Sequence, residues 1–184
     1  YMTEGNVHAW LNDGYEAIEI GRKIGNKVIV IGVSTGATIL TALLVRPEFR
    51  DVYAAAFLSP NFFPRDKNSS FLTYPWGKYW IHLALGKERK LNLRKEESKL
   101  YWTEIYPTEA LVDMMAMVKY TNSLPLENII TPILFYYHEN DQVISVPDIR
   151  STIAKINPSL VKEIVVKVDT GDVKNHVITG SITA

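Results

Sequence analysis

The sequence lacks cysteine altogether among its 184 residues, and it lacks an excess of charge of either sign. Without cysteine there is no disulfide scaffold, no cysteine nucleophile and no thiolate metal site. Twenty basic residues balance twenty acidic ones, which argues against nucleic acid as a partner, because phosphate binding usually shows as a basic excess. A hydrophobic fraction of 47% instead indicates a globular domain with a sizeable core.

Long apolar runs are also missing. No stretch of about 18 apolar residues exists, so the sequence predicts no transmembrane segment. Residues 1–5 hold no basic segment followed by an apolar one, so no secretory signal is expected there. The chain starts with Tyr1 before Met2 and stops at Ala184 without a helix or a tail-like composition, and we interpret both ends as cuts through a longer chain.

Four short apolar runs alternate with helical patterns, which is typical of an α/β fold with a parallel sheet. The first run is continuous and rich in β-branched residues, so we expect a strand that is buried on both faces. A helix is expected from the N-cap Asn6 to a stop at Gly25. The four runs are residues 27–32, 52–58, 133–137 and 164–168, and two further helices are expected over residues 37–45 and 147–156.

A long segment of different character, residues 61–130, separates the second run from the third. It holds three of the four tryptophans and many other aromatic residues, so it is too apolar for a free loop. We expect a small helical subdomain over one end of the sheet, inserted into a core made of residues 1–60 and 131–184. Its aromatic side chains either bind an apolar part of a substrate or form the core of the subdomain. We interpret its mixed charge clusters, residues 87–90 and 94–97, as a solvated helix face.

The first apolar run ends in the motif Gly32-Val33-Ser34-Thr35-Gly36, which leads into a predicted helix. A sharp turn from strand to helix holds such a serine in a strained conformation, and bulk two positions to either side would collide with neighbouring chain. With ten glycines, a pattern of this kind is expected only about 0.03 times by chance. The motif therefore predicts a nucleophilic serine, Ser34, with an idle serine in a structural turn as the alternative.

A serine hydroxyl is a poor nucleophile unless a base accepts its proton and an acid orients that base. In this layout the acid and then the histidine follow later strands of the sheet. Asp141 follows the third apolar run and His176 follows the fourth, so both their order and their positions fit.

Other residues remain open for these roles. Three carboxylates compete with Asp141, namely Glu139 beside it and Asp169 and Asp172 near His176. We expect His138 to shape the loop of Asp141, and we expect His8 and His82 to be surface or packing residues. No His, Asp and Glu cluster has metal-ligand spacing and no glycine-rich phosphate loop occurs, so neither a metal nor a cofactor is expected.

On these residues the chain resembles α/β-hydrolases of the carboxylesterase and monoacylglycerol-lipase kind. The resemblance rests on the motifs at residues 32–37, 140–143 and 175–177 and on the insertion after the second strand. It implies Ser34 as nucleophile, His176 as general base, Asp141 as the orienting acid and the Thr35 backbone N–H as an oxyanion donor. It also implies a cap at residues 61–130 and a small ester or lipid-like substrate.

The chain departs from the family in several respects. The family commonly has glycine three residues before the acid, where this chain has His138. Members of the family typically have about eight strands, a His-Gly type loop that gives a second oxyanion donor, and a final helix. This sequence supplies four strands, and it has neither the His-Gly type loop nor the final helix. We therefore expect a piece of a longer hydrolase. The open edge of its first strand would then bind a second copy or a missing N-terminal segment.

Three other activities share this arrangement of residues. Peptidases, thioesterases and acyltransferases of the same fold use the same tetrahedral intermediate and differ in the shape of the pocket. A relative without catalysis, acting as a binding domain, is the alternative from another functional class.

Overall fold

The computed structural model describes residues 5–91, 98–168 and 171–180. In these ranges the helices are α1 (Val7–Ile24), α2 (Thr35–Leu44), α3 (Gly77–Leu85), α4 (Ser98–Tyr101), α5 (Ala110–Asn122) and α6 (Val146–Ile153), and the strands are β1 (Ile29–Val33), β2 (Ala54–Leu58), β3 (Glu88–Lys90), β4 (Ile105–Pro107), β5 (Ile133–His138) and β6 (Val161–Val166). A parallel sheet has the order β1-β2-β5-β6, and β3 pairs with β4 in an antiparallel ribbon. The predicted parallel α/β core is confirmed. None of these helices is both long and apolar enough to cross a membrane.

The ends of the elements follow from local chemistry. The Asn6 side chain caps α1 by accepting a hydrogen bond from the N–H of Ala9 at 3.0 Å, and Gly25 ends this helix as expected. Strand β6 begins three residues before the apolar run that predicted it. Lys162 and Glu163 of this edge strand are exposed, so the apolar pattern marks only its second half.

The main hydrophobic core lies on one face of the sheet. Side chains on that face, such as Val30, Phe57 and Phe135, pack with residues of α1, α2, α5 and α6. On the other face of β1, Ile29 and Ile31 are 60% and 68% exposed. The expectation that β1 is buried on both faces is wrong for the described part of the chain. The reason is that the helices of the core cover the face of Val30, while β1 itself lies at the edge of the sheet.

Residues 61–130 are less uniformly helical than expected, because they include the ribbon of β3 and β4. The charged residues Glu88–Lys90 form an exposed strand instead of a helix face, and the second charge cluster, 94–97, lies outside the described residues. Helix α5 joins the main core through Met117, whereas Leu72, Ile81 and Met115 form a second, smaller cluster. The division of the chain at residues 61 and 130 stays a prediction.

Candidate active site

Ser34 lies on a tight turn between β1 and α2. Its φ of 51° falls in a region that costs a residue with a side chain about 1–3 kcal/mol. Backbone hydrogen bonds hold the turn. The Ser34 N–H donates to the Leu58 carbonyl at 2.9 Å, and the Ser34 carbonyl accepts from the N–H groups of Ala37 and Asn61, both at 3.1 Å. Although Ser34 directly precedes α2, its hydroxyl makes no capping hydrogen bond to that helix. The hydroxyl is therefore available to a partner outside the helix.

The two glycines of the motif serve different purposes. A Cβ added at Gly32 would lie 2.6 Å from the Cα of Ala37, so the backbone of α2 leaves room only for glycine. A Cβ added at Gly36 would meet no atom within 4 Å. The expected collision is confirmed at Gly32 and is wrong at Gly36, because the Cβ position of Gly36 faces open space.

Asp141 lies in the loop that follows β5, and it is almost completely buried. Its Oδ1 accepts hydrogen bonds from the N–H groups of Val143 at 2.7 Å and Ile144 at 3.0 Å. A carboxylate that accepts bonds from the backbone two and three residues ahead closes an Asx-type turn. This turn fixes the carboxylate and leaves Oδ2 directed away from the loop backbone.

His176 lies in a loop after β6 that two buried side chains hold in place. The Oδ2 atom of Asp172 accepts from the N–H groups of His176 at 2.7 Å and Val177 at 2.9 Å. The Ser59 hydroxyl, at the end of β2, donates to the His176 carbonyl at 2.7 Å. Sequence reasoning missed Ser59, because 117 residues separate it from His176 and no local pattern connects them.

The three side chains singled out in the sequence come together in one hydrogen-bonded series. His176 Nδ1 lies 2.8 Å from Asp141 Oδ2, and His176 Nε2 lies 3.1 Å from Ser34 Oγ. A carboxylate only accepts hydrogen bonds, so the pairing with Asp141 assigns the proton of the neutral imidazole to Nδ1. Nε2 then carries the lone pair, and it faces the hydroxyl of Ser34.

The competing residues lie elsewhere or have other partners. Asp172 binds the backbone of the His176 loop, as described above, and Glu139 faces Lys167 at 3.7 Å. Asp169 lies outside the described residues. The ring of His138 accepts from the Asn140 N–H through Nδ1 at 2.9 Å and reaches the Val168 carbonyl through Nε2 at 3.2 Å. His138 therefore shapes the loop of Asp141, as expected from the sequence.

The remaining histidines lie apart from this series. His8 is exposed on α1. His82, on α3, pairs with Glu109 at 2.7 Å. Both fit the expectation of surface or packing residues. Within the described ranges, no group of three metal-ligating side chains lies close enough together to hold a metal ion.

The first residues of the 61–130 segment run alongside the Asp141 loop. The Arg65 guanidinium donates to the Asp141 carbonyl at 2.8 Å, and the Arg65 N–H donates to Val143 at 2.9 Å. The Ser145 N–H donates to Phe63 at 2.8 Å. The 61–130 segment thereby holds the Asp141 loop in place. Sequence reasoning missed Arg65, because nothing in the local pattern pairs residues so far apart in the chain.

An ion pair reinforces this contact at the start of α6. Lys67 Nζ lies 2.6 Å from Asp148 Oδ2, and the Ser145 hydroxyl also hydrogen-bonds this carboxylate. Burial acts to raise the pKa of Asp148, but the hydrogen bonds from Lys67 and Ser145 outweigh it, so that the pKa lies below its usual value. The ion pair of Lys67 and Asp148 thus joins the 61–130 segment to α6.

A cavity of about 520 Å³ opens beside Ser34. Ser34 and Thr35 line it at the strand-to-helix turn, Asn61 lines it just after β2, and apolar residues such as Trp80, Leu111 and Met114 line it from farther along the 61–130 segment. Thr35 is the first residue of α2, so its N–H has no acceptor within the helix and points toward the helix N-terminus. The cavity thus combines a positive helix end with an apolar wall.

The aromatic residues of the 61–130 segment occupy three kinds of position, namely the cavity wall, the main core and the surface. Phe71, Trp80 and Tyr106 line the cavity, and Phe62 belongs to the main core. Others lie at the surface instead, namely Tyr74, Trp76, Tyr79 and Tyr101. The sequence pattern does not distinguish these positions, because each aromatic side chain is apolar enough to occupy any of them.

Comparisons with known proteins give matches in structure only. No protein-family model and no curated protein matches the chain. Solved structures that it matches include the metagenome-derived lipolytic enzymes LipS and LipT (TM-score 0.72, 11% identity, 90% of this chain and 65% of that one). A monoacylglycerol lipase of Paleococcus ferrophilus matches with a TM-score of 0.65 and 14% identity over 89% of this chain and 66% of that one. A soluble variant of the Saccharomyces cerevisiae monoglyceride lipase, in complex with a substrate analog, matches with a TM-score of 0.64 and 11% identity. This match covers 96% of this chain and 62% of that one.

These matches are extensive for this chain but partial for the others. The chain spans less than two thirds of the length of each of these three structures. At identities of 11–14%, these matches show that the backbones follow the same path, and they show nothing about activity. That path, together with the parallel sheet and the flanking helices, shows that the chain has the α/β-hydrolase fold.

Proposed function

We propose that this chain carries the catalytic centre of a serine hydrolase that cleaves carboxylic esters. The observation that carries the proposal is the unbroken series from Asp141 through His176 to Ser34, with contacts of 2.8 and 3.1 Å. A nucleophile beside a base, and a base oriented by a buried acid, is the geometry that activates a serine hydroxyl.

In the first half of the reaction, Ser34 Oγ attacks the ester carbonyl carbon. As the new C–O bond forms, the proton of the hydroxyl passes to His176 Nε2, and Asp141 stabilises the imidazolium through Nδ1. The tetrahedral intermediate then collapses and its bond to the alcohol breaks. Nε2 returns the proton to the leaving alcohol, and the acyl group remains on Ser34.

In the second half, water attacks the acyl group on Ser34. His176 accepts a proton from this water, and the second collapse returns that proton to Ser34 Oγ as the carboxylic acid leaves. In both halves the negative oxygen is stabilised by the N–H of Thr35 at the positive end of α2. One such donor typically accounts for about 10²–10³ in rate.

An ester with an apolar part suits the cavity best. Its volume of about 520 Å³ lies within the range of small-molecule sites, and its wall from the 61–130 segment is mainly apolar. Burial of an apolar chain there contributes roughly 25 cal/mol per Å². We propose that residues 61–130 act as the cap of this site, since they supply that wall and hold the Asp141 loop through Arg65.

A panel of p-nitrophenyl esters of increasing acyl length tests the proposal. The protein should hydrolyse them, and Ser34→Ala should reduce turnover to the rate of the buffer. Ser151→Ala, which changes an exposed serine on α6, is the matched control and should leave turnover unaltered. Equal turnover by Ser34→Ala would remove Ser34 as the nucleophile.

A further inference from the structure

One basic side chain of the cavity lining has no partner among the residues that the structure describes. Arg89 is the one Lys or Arg among the cavity-lining residues that the structure describes, and its guanidinium makes no hydrogen bond or ion pair with any of the described residues. Side chains alternate between the two faces of a strand, so Arg89 lies on the opposite face of β3 from Lys90. Lys90 is paired with Glu104 at 3.5 Å, whereas the guanidinium of Arg89 is left for the cavity.

The strand that carries Arg89 presents it together with an aromatic ring. Arg89 is paired across the ribbon with Tyr106 of β4, and both residues line the cavity. Asn61 and Ile144 of the cavity lining are buried, whereas Arg89 is exposed. The charge of Arg89 is therefore at the solvent-facing part of the cavity, with apolar side chains such as Trp80 also in its wall.

We propose that Arg89 binds a carboxylate carried by the ester substrate at the end remote from the scissile carbonyl. The inference rests on the proposed ester hydrolysis and names the class of substrate: half-esters of dicarboxylic acids, with an apolar spacer between the two carbonyl carbons. A planar guanidinium binds a carboxylate through two parallel hydrogen bonds. The apolar wall accepts the spacer, and Ser34 attacks the ester end.

The charge of the cavity favours a singly charged group over a phosphate. Asp66 also lines the cavity, so its carboxylate cancels the charge of Arg89 over the lining as a whole. A carboxylate carries one negative charge and needs one guanidinium, whereas a phosphate monoester carries nearly two at neutral pH. With one cation and one carboxylate in the described lining, the second charge of a phosphate would have no counterpart.

Binding to the Ser34→Ala protein tests the inference independently of turnover. The ligands are mono-p-nitrophenyl suberate and its uncharged counterpart, p-nitrophenyl methyl suberate, and isothermal titration calorimetry gives Kd for each. The half-ester should bind about 2- to 5-fold more tightly at low salt, as expected for one exposed charge pair. The preference should shrink in 0.5 M NaCl, because salt screens exposed charges.

Variants at Arg89 and its neighbour identify the group responsible. Added to Ser34→Ala, Arg89→Gln should remove the preference and Arg89→Lys should retain part of it, whereas Lys90→Gln should keep it in full. A preference that survives Arg89→Gln, one that Lys90→Gln removes equally, or no binding of either ligand would overturn the inference. A phosphate analogue, p-nitrophenyl 8-phosphonooxyoctanoate, should bind less tightly than the half-ester, and the reverse order would overturn the choice of a carboxylate.

The inference and the proposed function fail in different ways. If the protein with Ser34 intact hydrolyses neither ester while Ser34→Ala still prefers the half-ester, ester hydrolysis is wrong and the binding role of Arg89 stands. If both esters are hydrolysed and the ratio of their kcat/KM values is the same in Arg89→Gln, the inference fails and the proposed function stands.

Discussion

Replacing Asp141 by Asn should disable the site while leaving its shape nearly intact. In the protein, Oδ1 of Asp141 accepts from the N–H groups of Val143 and Ile144, and Oδ2 faces His176 Nδ1. An Asn at this position keeps its carbonyl oxygen toward the two N–H groups, so its NH₂ group faces Nδ1. Nδ1 must then accept a hydrogen bond, and the imidazole proton moves to Nε2. With its lone pair lost, Nε2 cannot take the proton of Ser34.

The expected loss is large because the wrong tautomer removes the base altogether. In a serine protease triad the corresponding change lowers kcat by about 10⁴, and we expect about 10³–10⁴ for Asp141→Asn. This corresponds to about 4–5 kcal/mol of transition-state stabilisation, at 1.36 kcal/mol for each tenfold change. The two bonds to the loop backbone persist, so the free energy of unfolding should change by only about 1 kcal/mol. Turnover of p-nitrophenyl butyrate and urea titrations measure the two effects.

Asp172→Asn is the matched control, since it makes the same chemical change in the other buried acid near His176. Its carbonyl oxygen can still accept from the N–H groups of His176 and Val177, so kcat should fall by no more than about tenfold. The reasoning would be refuted if Asp141→Asn kept turnover within tenfold of the unaltered protein. It would also be refuted if Asp172→Asn were the more damaging change.

Two further predictions concern stability. Gly32→Ala should lower the free energy of unfolding by about 1–3 kcal/mol, because its Cβ would overlap the backbone of α2. Gly36→Ala should change the free energy of unfolding by less than about 0.5 kcal/mol, because its Cβ would face open space. Equal effects of the two substitutions in urea titrations would contradict the structure. Burial, together with a hydrogen bond to Glu163, raises the pKa of Tyr137 to about 12, above its value of about 10 in an unfolded chain. The free energy of unfolding should therefore hold steady below about pH 10 and fall as the pH rises toward 12. Tyr137→Phe should flatten this fall and the exposed Tyr53→Phe should not, in urea titrations at pH 9 and pH 11.

The strand-to-helix turn could be predicted from sequence because its signal is local. Glycine at position 32, serine at 34 and the β-branched run before them lie within one short stretch, and each answers a steric requirement of that turn. Asp141 and His176 could be predicted by their order along the chain, since each follows a recognisable apolar run. The parallel sheet follows from the same alternation of runs and helical patterns.

The features that sequence reasoning missed depend on contacts between distant parts of the chain. The Ser59 side chain donates to the backbone carbonyl of His176, and the Arg65 side chain donates to that of Asp141. Every residue has a backbone carbonyl, so the residue type does not indicate which carbonyl accepts such a bond. A run that is apolar throughout predicts burial of β1 on both faces. Which face is covered depends instead on where the helices pack, and no local pattern encodes that. The ribbon of β3 and β4 was missed because three-residue strands are too short for a periodic signal.

Fluorophosphonate labelling, followed by mass spectrometry of the peptides, tests the central claim most directly. Such a probe phosphonylates a serine hydroxyl only when a neighbouring base takes its proton. The account predicts a single modified peptide, the one that contains Ser34, and loss of the modification in Ser34→Ala and Asp141→Asn. A folded protein in which Ser34 stays unmodified, or in which another serine reacts as fast, would contradict it.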